Sequence, residues 1–201
     1  MSATYDVCYG GCLMNDKPQG YLKRLPPESY RGHACVHWSM TIEDRQTGWL
    51  SPLFYYKFRE LLTHTMFRYG ICCPIFCLMP DHMHLLWLGI TESADQRLAM
   101  KFLRGQINLI LEKLGMRLQV QPYDHVLRED ERQPVAFQNV VEYIARNPER
   151  KQLVPQDGFR DYPYTGCLLP GYPDLKPFQS DFWELFDSLC SKLRREGLGA
   201  K

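Results

Sequence analysis

The most constraining feature of the chain is the stretch 71–90, which reads ICCPIFCLMPDHMHLLWLGI. It consists of two apolar runs joined at Pro80-Asp81, and this pattern predicts a pair of largely buried strands. Because side chains alternate between the faces of a strand, His82 and His84 lie on one face, about 6.5–7 Å apart along the backbone. Two imidazoles so placed can bind one metal ion. The same spacing is also typical of polar residues on the solvated face of an antiparallel strand.

The sequence on either side predicts two helices and two further strands. Strand-forming residues alternate at 33–41 (HACVHWSMT), and a shorter extended segment occupies 118–128. Helical apolar spacing fills the intervals between the strands, and each helix begins after a serine cap and ends at a glycine. The resulting order, β-α-β-β-α-β, indicates an α+β fold of the ferredoxin-like plan with a central antiparallel sheet. The expected caps are Ser51 and Ser93, and the terminal glycines are Gly70 and Gly115.

The ferredoxin-like plan also predicts where each strand lies. Its third strand, which here carries the histidines, is central, and its second strand is at an edge. Pro74 lies in that second strand, and proline is disfavoured inside a sheet because it cannot donate a ladder hydrogen bond. We therefore expect the strand that contains Pro74 at the edge of the sheet.

Composition bounds the function in three ways. The 201 residues include 24 Lys and Arg against 23 Asp and Glu, so any contact with nucleic acid must come from local patches. No run of 18 apolar residues occurs, which predicts no membrane span. Residues 1–31, rich in glycine and proline, are interpreted as an irregular extension without a signal peptide. With eight cysteines, this predicts reduced thiols and a cytoplasmic location.

Two sets of cysteine and histidine residues suggest metal sites, and each has a simpler alternative. Cys8 and Cys12 lack the second cysteine pair that zinc sites of this kind need. His33, Cys35 and His37 fall on one face of the first strand. We interpret them as ordinary residues of a half-buried strand rather than as a second metal site.

Four local motifs occur in order along the chain: LMPDHMHLL at 78–86, QPYDHVLR at 121–128, VEYIARNP at 141–148 and DYPY at 161–164. Each is weak alone, but together they resemble the REP-associated branch of the single-tyrosine HUH transposases. The resemblance covers about residues 32–186. It implies a catalytic domain at 32–153. An irregular arm at 154–201, ending in a helix at 182–195, would then dock on that domain.

The resemblance implies a metal-dependent reaction on single-stranded DNA with hairpin structure. In that family the paired histidines, here His82 and His84, bind a divalent ion, Mg²⁺ or Mn²⁺, and Asn147 is the expected third ligand. Tyr143 is the expected nucleophile, whose attack on the scissile phosphate leaves a 5′-phosphotyrosine and a free 3′-hydroxyl. Tyr143 and Asn147 lie one turn apart on a third predicted helix, 134–147, which we expect to carry the nucleophile.

Seven further residues are candidates for DNA contact, each with a plainer alternative. Arg97, Lys101 and Arg104 form a basic ridge on the second helix, which is either a phosphate track or a solvated face. His125, at the end of the fourth strand, either shuttles protons or touches phosphate, or is a surface histidine. The basic residues near the end of the third helix either contact DNA or only favour the helix dipole. These are Arg146, Arg150 and Lys151.

Three functions are compatible with the sequence. The first is the strand transferase, acting on hairpin DNA as a monomer or a homodimer, with Tyr143 serving its own subunit or a partner. The second is a domesticated nucleic-acid-binding module that keeps the fold without cleavage. The third is an interaction protein whose cysteines and histidines bind zinc structurally. Covalent attachment to hairpin DNA distinguishes the first from the other two.

Overall fold

The computed structural model describes residues 23–172 and 175–198, and in this part of the chain five strands form one antiparallel sheet. The strands are β1 (Cys35–Thr41), β2 (Ile71–Leu78), β3 (His82–Gly89), β4 (Tyr123–Val126) and β5 (Thr165–Leu168). They lie in the order β4-β1-β3-β2-β5, and every neighbouring pair is antiparallel. The predicted α+β, ferredoxin-like fold with the histidine strand at its centre is confirmed.

The helices alternate with the strands as predicted. Ser51 caps the first helix by accepting a hydrogen bond from the backbone N–H of Phe54, and Gly70 ends it with a left-handed φ of 65°. The helices are α1 (Pro52–Tyr69), α2 (Gln96–Leu111), α3 (Pro134–Ala145), α4 (Asn147–Arg150) and α5 (Phe182–Glu196). Short 3-10 turns occupy Pro27–Tyr30, Glu43–Arg45, Glu112–Leu114, Asp130–Arg132 and Gly158–Asp161.

Two predicted helix boundaries are wrong. Helix α2 is capped by Asp95 rather than Ser93, because the Asp95 carboxylate accepts from the backbone N–H groups of both Arg97 and Leu98. Helix α3 ends at Ala145 instead of residue 147, and the chain leaves helical geometry at the next residue before it forms the single turn of α4. Pro148 therefore lies in the first turn of a new helix, where proline is tolerated.

The predicted edge position of the Pro74 strand is also wrong. Strand β2 lies between β3 and β5, because Thr165–Leu168 pairs with it along its outer side. The pairing register of β2 shifts between Cys72 and Ile75 against β3, and between Cys73 and Phe76 against β5. Pro74 thus lies in a β-bulge, the other place where a sheet accepts a residue without a backbone N–H.

The sheet has a core on each face, and alternation along β3 decides which side chain enters which core. Met83 and Trp87 point into the larger core, which α1 and α2 cover. Leu86 points into the opposite core, which the buried side of α3 covers. His82 and His84 share the face of Leu86 because they are four and two residues from it, respectively. Helix α3 therefore packs on the histidine face of the sheet.

The C-terminal segment supplies more regular structure than the predicted irregular arm. Beyond β5, helix α5 packs the buried side chains of Phe182, Phe186 and Cys190 against Cys72 of β2 and Cys167 of β5. This third cluster fixes α5 at the β5 end of the sheet.

No helix in the described residues is long and apolar enough to cross a lipid bilayer. The prediction of an irregular extension is untested over residues 1–22, including Cys8 and Cys12, because these residues lie outside the described part of the chain. Residues 23–31 contain one 3-10 turn, and its last residue, Tyr30, is fully buried against the core of the sheet.

Candidate active site

The two histidines of β3 point at each other across one buried face. The Nε2 atoms of His82 and His84 are 3.1 Å apart, and their rings are nearly perpendicular, with an interplanar angle of 85°. The exposed fractions of the two residues are only 8% and 7%. The predicted shared face is thus confirmed, and the solvated-strand interpretation does not fit residues so deeply buried.

Each histidine is held by a second residue through its other ring nitrogen. Nδ1 of His82 lies 2.6 Å from one carboxylate oxygen of Asp81, and the other oxygen of Asp81 accepts a hydrogen bond of 2.7 Å from Arg45. Nδ1 of His84 lies 3.0 Å from Nε2 of His37 on the neighbouring strand β1. Such outer partners orient the ring of a metal-binding histidine and leave Nε2 for the ion.

Electrostatics favours neutral imidazoles in this pair. Burial lowers the pKa of both rings, and for His84 it is lowered well below the ordinary histidine value. The Asp81 carboxylate partly opposes this for His82, whereas Arg45 and then Lys151 lower its pKa further. The neighbouring imidazoles of His37 and His82, and then Arg150, lower the pKa of His84 further. A neutral imidazole has the lone pair that a metal ligand needs.

The spacing of the pair fits a metal ion. Two nitrogen ligands at right angles, each about 2.1 Å from one ion, are about 3 Å apart. Among residues 23–172 and 175–198, no group of three His, Cys, Asp or Glu side chains is arranged to hold a metal. An ion at the pair therefore needs a third donor of another kind, such as a carboxamide oxygen, a phosphate oxygen or water.

Asn147 is a buried carboxamide at the start of α4. Its exposed fraction is 9%, and its Nδ2 donates to the backbone carbonyls of Tyr143, at 3.2 Å, and of Ile144, at 2.9 Å. These bonds span the break between α3 and α4 and fix the orientation of the amide. Its oxygen takes part in neither bond and is a donor of the kind that a divalent ion accepts beside two imidazoles.

Tyr143 lies near the C-terminal end of α3 and is 38% exposed. The Arg150 guanidinium lies over its ring, 4.0 Å from the centroid, and donates a hydrogen bond of 3.1 Å to the Tyr143 carbonyl. The same guanidinium contributes to the lowered pKa of His84. Arg150 thus packs on the ring of the predicted nucleophile, and helix α3, which carries that residue, covers the histidine face of the sheet.

The basic ridge of α2 lies on the opposite face of the sheet. Arg97, Lys101 and Arg104 line a groove of about 650 Å³ together with Arg24 and Arg31. The Arg104 guanidinium donates to the backbone carbonyls of residues 119 and 120, and burial lowers its pKa to about 10. The structure thus separates these three candidates from the histidine pair.

Two other candidates for DNA contact, Arg146 and His125, lie beside carboxylates. Arg146 forms ion pairs with Glu142, Glu149 and Asp157, so three carboxylates surround its guanidinium. His125 lies 2.9 Å from a Glu131 carboxylate oxygen.

The trio of His33, Cys35 and His37, predicted on one strand, separates into different environments, and His33 lies in the turn before β1. His33 lies against the Gly89 carbonyl and the Glu92 carboxylate, and Cys35 is buried with its thiol pKa raised to about 12. His37 contacts His84. Sequence reasoning missed this role of His37. The only signal for it was the presence of a histidine on a strand that can pair with the histidine strand.

Comparison with known proteins supports the fold. No family model and no curated protein matches the chain. A solved REP-associated tyrosine transposase bound to a REP hairpin matches with a TM-score of 0.57 and 17% identity, over 72% of this chain and 80% of that one. A protein of Deinococcus radiodurans R1 assigned as a transposase matches with a TM-score of 0.40 and 16% identity, over 65% of this chain and 98% of that one. The first of these two matches carries the conclusion: the chain has the fold of the REP-associated tyrosine transposase that its sequence motifs resemble.

Proposed function

We propose that the chain is a metal-dependent transposase or endonuclease that cuts and rejoins single-stranded hairpin DNA through a phosphotyrosine. The observation that carries this proposal is the buried His82–His84 pair, whose facing Nε2 atoms are 3.1 Å apart and whose Nδ1 atoms are both engaged by outer partners. A pair of neutral, oriented imidazoles in a transposase fold is suited to bind an ion beside a phosphodiester.

In this proposal His82, His84 and Asn147 hold a divalent cation, Mg²⁺ or Mn²⁺. When bound, such an ion neutralises phosphate charge and polarises the scissile phosphorus towards attack. The neutral donor set, two nitrogens and one amide oxygen, suits Mn²⁺ better than Mg²⁺ on ligand softness.

The covalent step belongs to Tyr143. Its phenol loses a proton, its oxygen forms a bond to phosphorus, and the bond between phosphorus and the 3′-oxygen breaks. The 3′-oxygen takes up a proton and leaves as a free hydroxyl, so that the 5′ end remains attached to the enzyme. Attack by a 3′-hydroxyl on the phosphotyrosine reverses these changes and reseals a strand, and no ATP is required.

Cationic side chains on the histidine face would position the DNA backbone. Arg150 and Lys151 are exposed and electrostatically coupled to the histidine pair, so a phosphate at the pair would also meet their charges. The groove that contains Arg97 and Lys101 lies on the far face. It would contact a different part of the same DNA, the hairpin or its flanking strand.

The test is covalent capture of DNA. Purified protein with Mn²⁺ and a single-stranded hairpin oligonucleotide is expected to give a species that migrates as a protein–DNA adduct under denaturing conditions. Tyr143→Phe should abolish the adduct and still bind the hairpin. Tyr56→Phe, at a 69% exposed tyrosine on α1, is the matched control and should leave the adduct unchanged. Attachment retained by Tyr143→Phe would reject the assignment. Binding without attachment by the unaltered protein would instead favour a domesticated binding module.

A further inference from the structure

We propose that His37 is a positioning residue that sets the orientation and tautomer of His84 for metal binding. This inference rests on the proposed function, because it concerns the ion that His82 and His84 would share. It goes beyond the proposed ligand set by adding a residue from a different strand.

The pairing of β1 with β3 brings the two rings together. Ser39 is directly opposite His84, and His37 is directly opposite Leu86, so His37 and His84 are diagonal neighbours on one face of the sheet. Nε2 of His37 lies 3.0 Å from Nδ1 of His84, and the ring centroids are 5.2 Å apart. With His84 itself 7% exposed, little water competes for this contact.

The hydrogen-bond partner of His82 is a carboxylate, whereas that of His84 is another imidazole. Asp81 is an ionised carboxylate that only accepts, so it fixes the proton of His82 on Nδ1 and leaves a lone pair on Nε2. The partner of His84 is an imidazole, whose Nε2 either donates or accepts. The tautomer of His84 therefore depends on His37.

This difference predicts two hydrogen-bonding states with the same number of protons. Without metal, a contact of 3.1 Å between the two Nε2 atoms is stabilised when one proton lies between them, and His82 already has its proton on Nδ1. Without metal, His84 therefore donates from Nε2 to His82 and accepts at Nδ1 from His37. For both Nε2 atoms to face an ion, His84 must carry its proton on Nδ1 and donate it to His37. His37 supports both states because an imidazole can reverse its role.

Substitutions at position 37 separate this role from packing. A glutamine side chain can also donate or accept, and the amide flips to suit its partner, whereas leucine fills similar space with no polar atom. We expect His37→Leu to weaken Mn²⁺ binding about 10- to 100-fold, the usual cost of losing the outer partner of a ligand. His37→Gln should bind Mn²⁺ within about threefold of the unaltered protein, because the hydrogen bond to His84 is restored.

The experiment measures binding of Mn²⁺ alone by calorimetry to metal-free full-length protein, so it needs neither DNA nor cleavage. The matched control is His33→Leu, a histidine in the turn before β1 whose ring lies against the Gly89 carbonyl and the Glu92 carboxylate. Far-ultraviolet circular dichroism and thermal unfolding of each variant verify folding. Imidazole ¹⁵N NMR with and without Mg²⁺ then reports which nitrogen of His84 carries the proton.

The outcomes are distinct. Weakened Mn²⁺ binding in His37→Leu with rescue in His37→Gln, and a shift of the His84 proton to Nδ1 on Mg²⁺ addition, support the proposal. Unchanged Mn²⁺ binding in folded His37→Leu, or equal losses in both variants, overturns it while the strand-transfer proposal stands. If His37→Leu fails to fold, the NMR result on the unaltered protein decides. Absence of Mn²⁺ binding by the unaltered protein overturns the metal-dependent function and the role of His37 together.

Discussion

The guanidinium of Arg150 lies 4.0 Å from the ring centroid of Tyr143 and donates to the backbone carbonyl of the same residue. Helix α3 ends between these two residues, and the turn of α4 brings Arg150 back over the aromatic ring. A cation held in this way restricts the phenol and adds positive charge where a phenolate and a phosphate would meet. The break in the helix, which the sequence analysis did not anticipate, is therefore part of the candidate site.

The first prediction concerns this cation. Arg150→Ala should slow formation of the covalent adduct about 3- to 30-fold, which corresponds to the loss of a cation–π contact of about 0.5–2 kcal/mol. Arg150→Lys should fall between, because it keeps the charge but loses the planar stacking group. The measurement is the single-turnover rate of adduct formation at saturating hairpin DNA.

The control for Arg150 is Arg128→Ala. Arg128 has a side chain that is 71% exposed and its charge is balanced by Asp130 and Glu131, so its loss should leave the rate unchanged. An Arg150→Ala protein that reacts at the unaltered rate would contradict the positioning of Tyr143 by this cation.

The sequence predicted those parts of the site that depend on local periodicity. Strand alternation alone is enough to place His82 and His84 on one face, and helical spacing is enough to place Tyr143 and Asn147 one turn apart. The order of elements then predicted the central position of the histidine strand, and the structure confirms it. These features need no knowledge of which segments meet.

The features that the sequence did not predict depend on pairing between distant segments. The contact of His37 with His84 requires the register of β1 against β3, in which Ser39 faces His84. Strand β5 is four residues long in a segment rich in glycine and proline, and it pairs with a strand almost ninety positions earlier. Because local patterns carry no register, neither feature could be obtained from spacing.

A second prediction concerns the pH dependence of stability in the metal-free protein. Burial lowers the pKa of His37 to about 4, with a smaller contribution from the charge of His125. The unfolded chain has an ordinary histidine pKa of about 6.5, so between these values it binds more protons than the folded chain. The free energy of unfolding contributed by His37 is therefore fully present above about pH 6.5 and is lost as the pH falls to about 4.

Urea unfolding at several pH values between 7.5 and 4 measures this effect. Subtracting the free energy of unfolding of His37→Gln at each pH removes the contribution of the carboxylates, because these groups titrate in both proteins. The difference between the two curves should have a slope of at most about 1.4 kcal/mol per pH unit, the value for one proton. Parallel curves for the two proteins would show that His37 has no lowered pKa in the folded state.

A third prediction concerns the close backbone approach of Gly89, at the end of β3, to Gly32, in the turn before β1. A Cβ atom on Gly89 would lie 1.7 Å from the carbonyl oxygen of Gly32, and both are backbone positions that packing holds in place. Gly89→Ala should therefore lower the free energy of unfolding by about 2–4 kcal/mol. Gly105→Ala is the matched control, because its Cβ would meet nothing within 4 Å and helix α2 gains about 0.5–1 kcal/mol from alanine. Chemical denaturation measures the free energy of unfolding, which should fall for Gly89→Ala and rise for Gly105→Ala. Equal changes in the two variants would contradict the close approach of Gly89 to Gly32.

The last prediction is that Tyr143 serves the histidine pair of its own subunit. Helix α3, which carries Tyr143, packs on the histidine face of the sheet of its own chain, which favours an arrangement that needs no second copy. A mixture of Tyr143→Phe and His84→Ala proteins should therefore form no more adduct than either variant alone. If the tyrosine instead reached across to a partner, each mixed pair would contain one intact site, and the mixture would regain activity. The two arrangements are distinguished by the rate of adduct formation, measured at several mixing ratios of the two variants. Unaltered protein diluted with Tyr143→Phe protein provides the reference. Restored attachment in the first mixture would show that the nucleophile acts in the partner subunit.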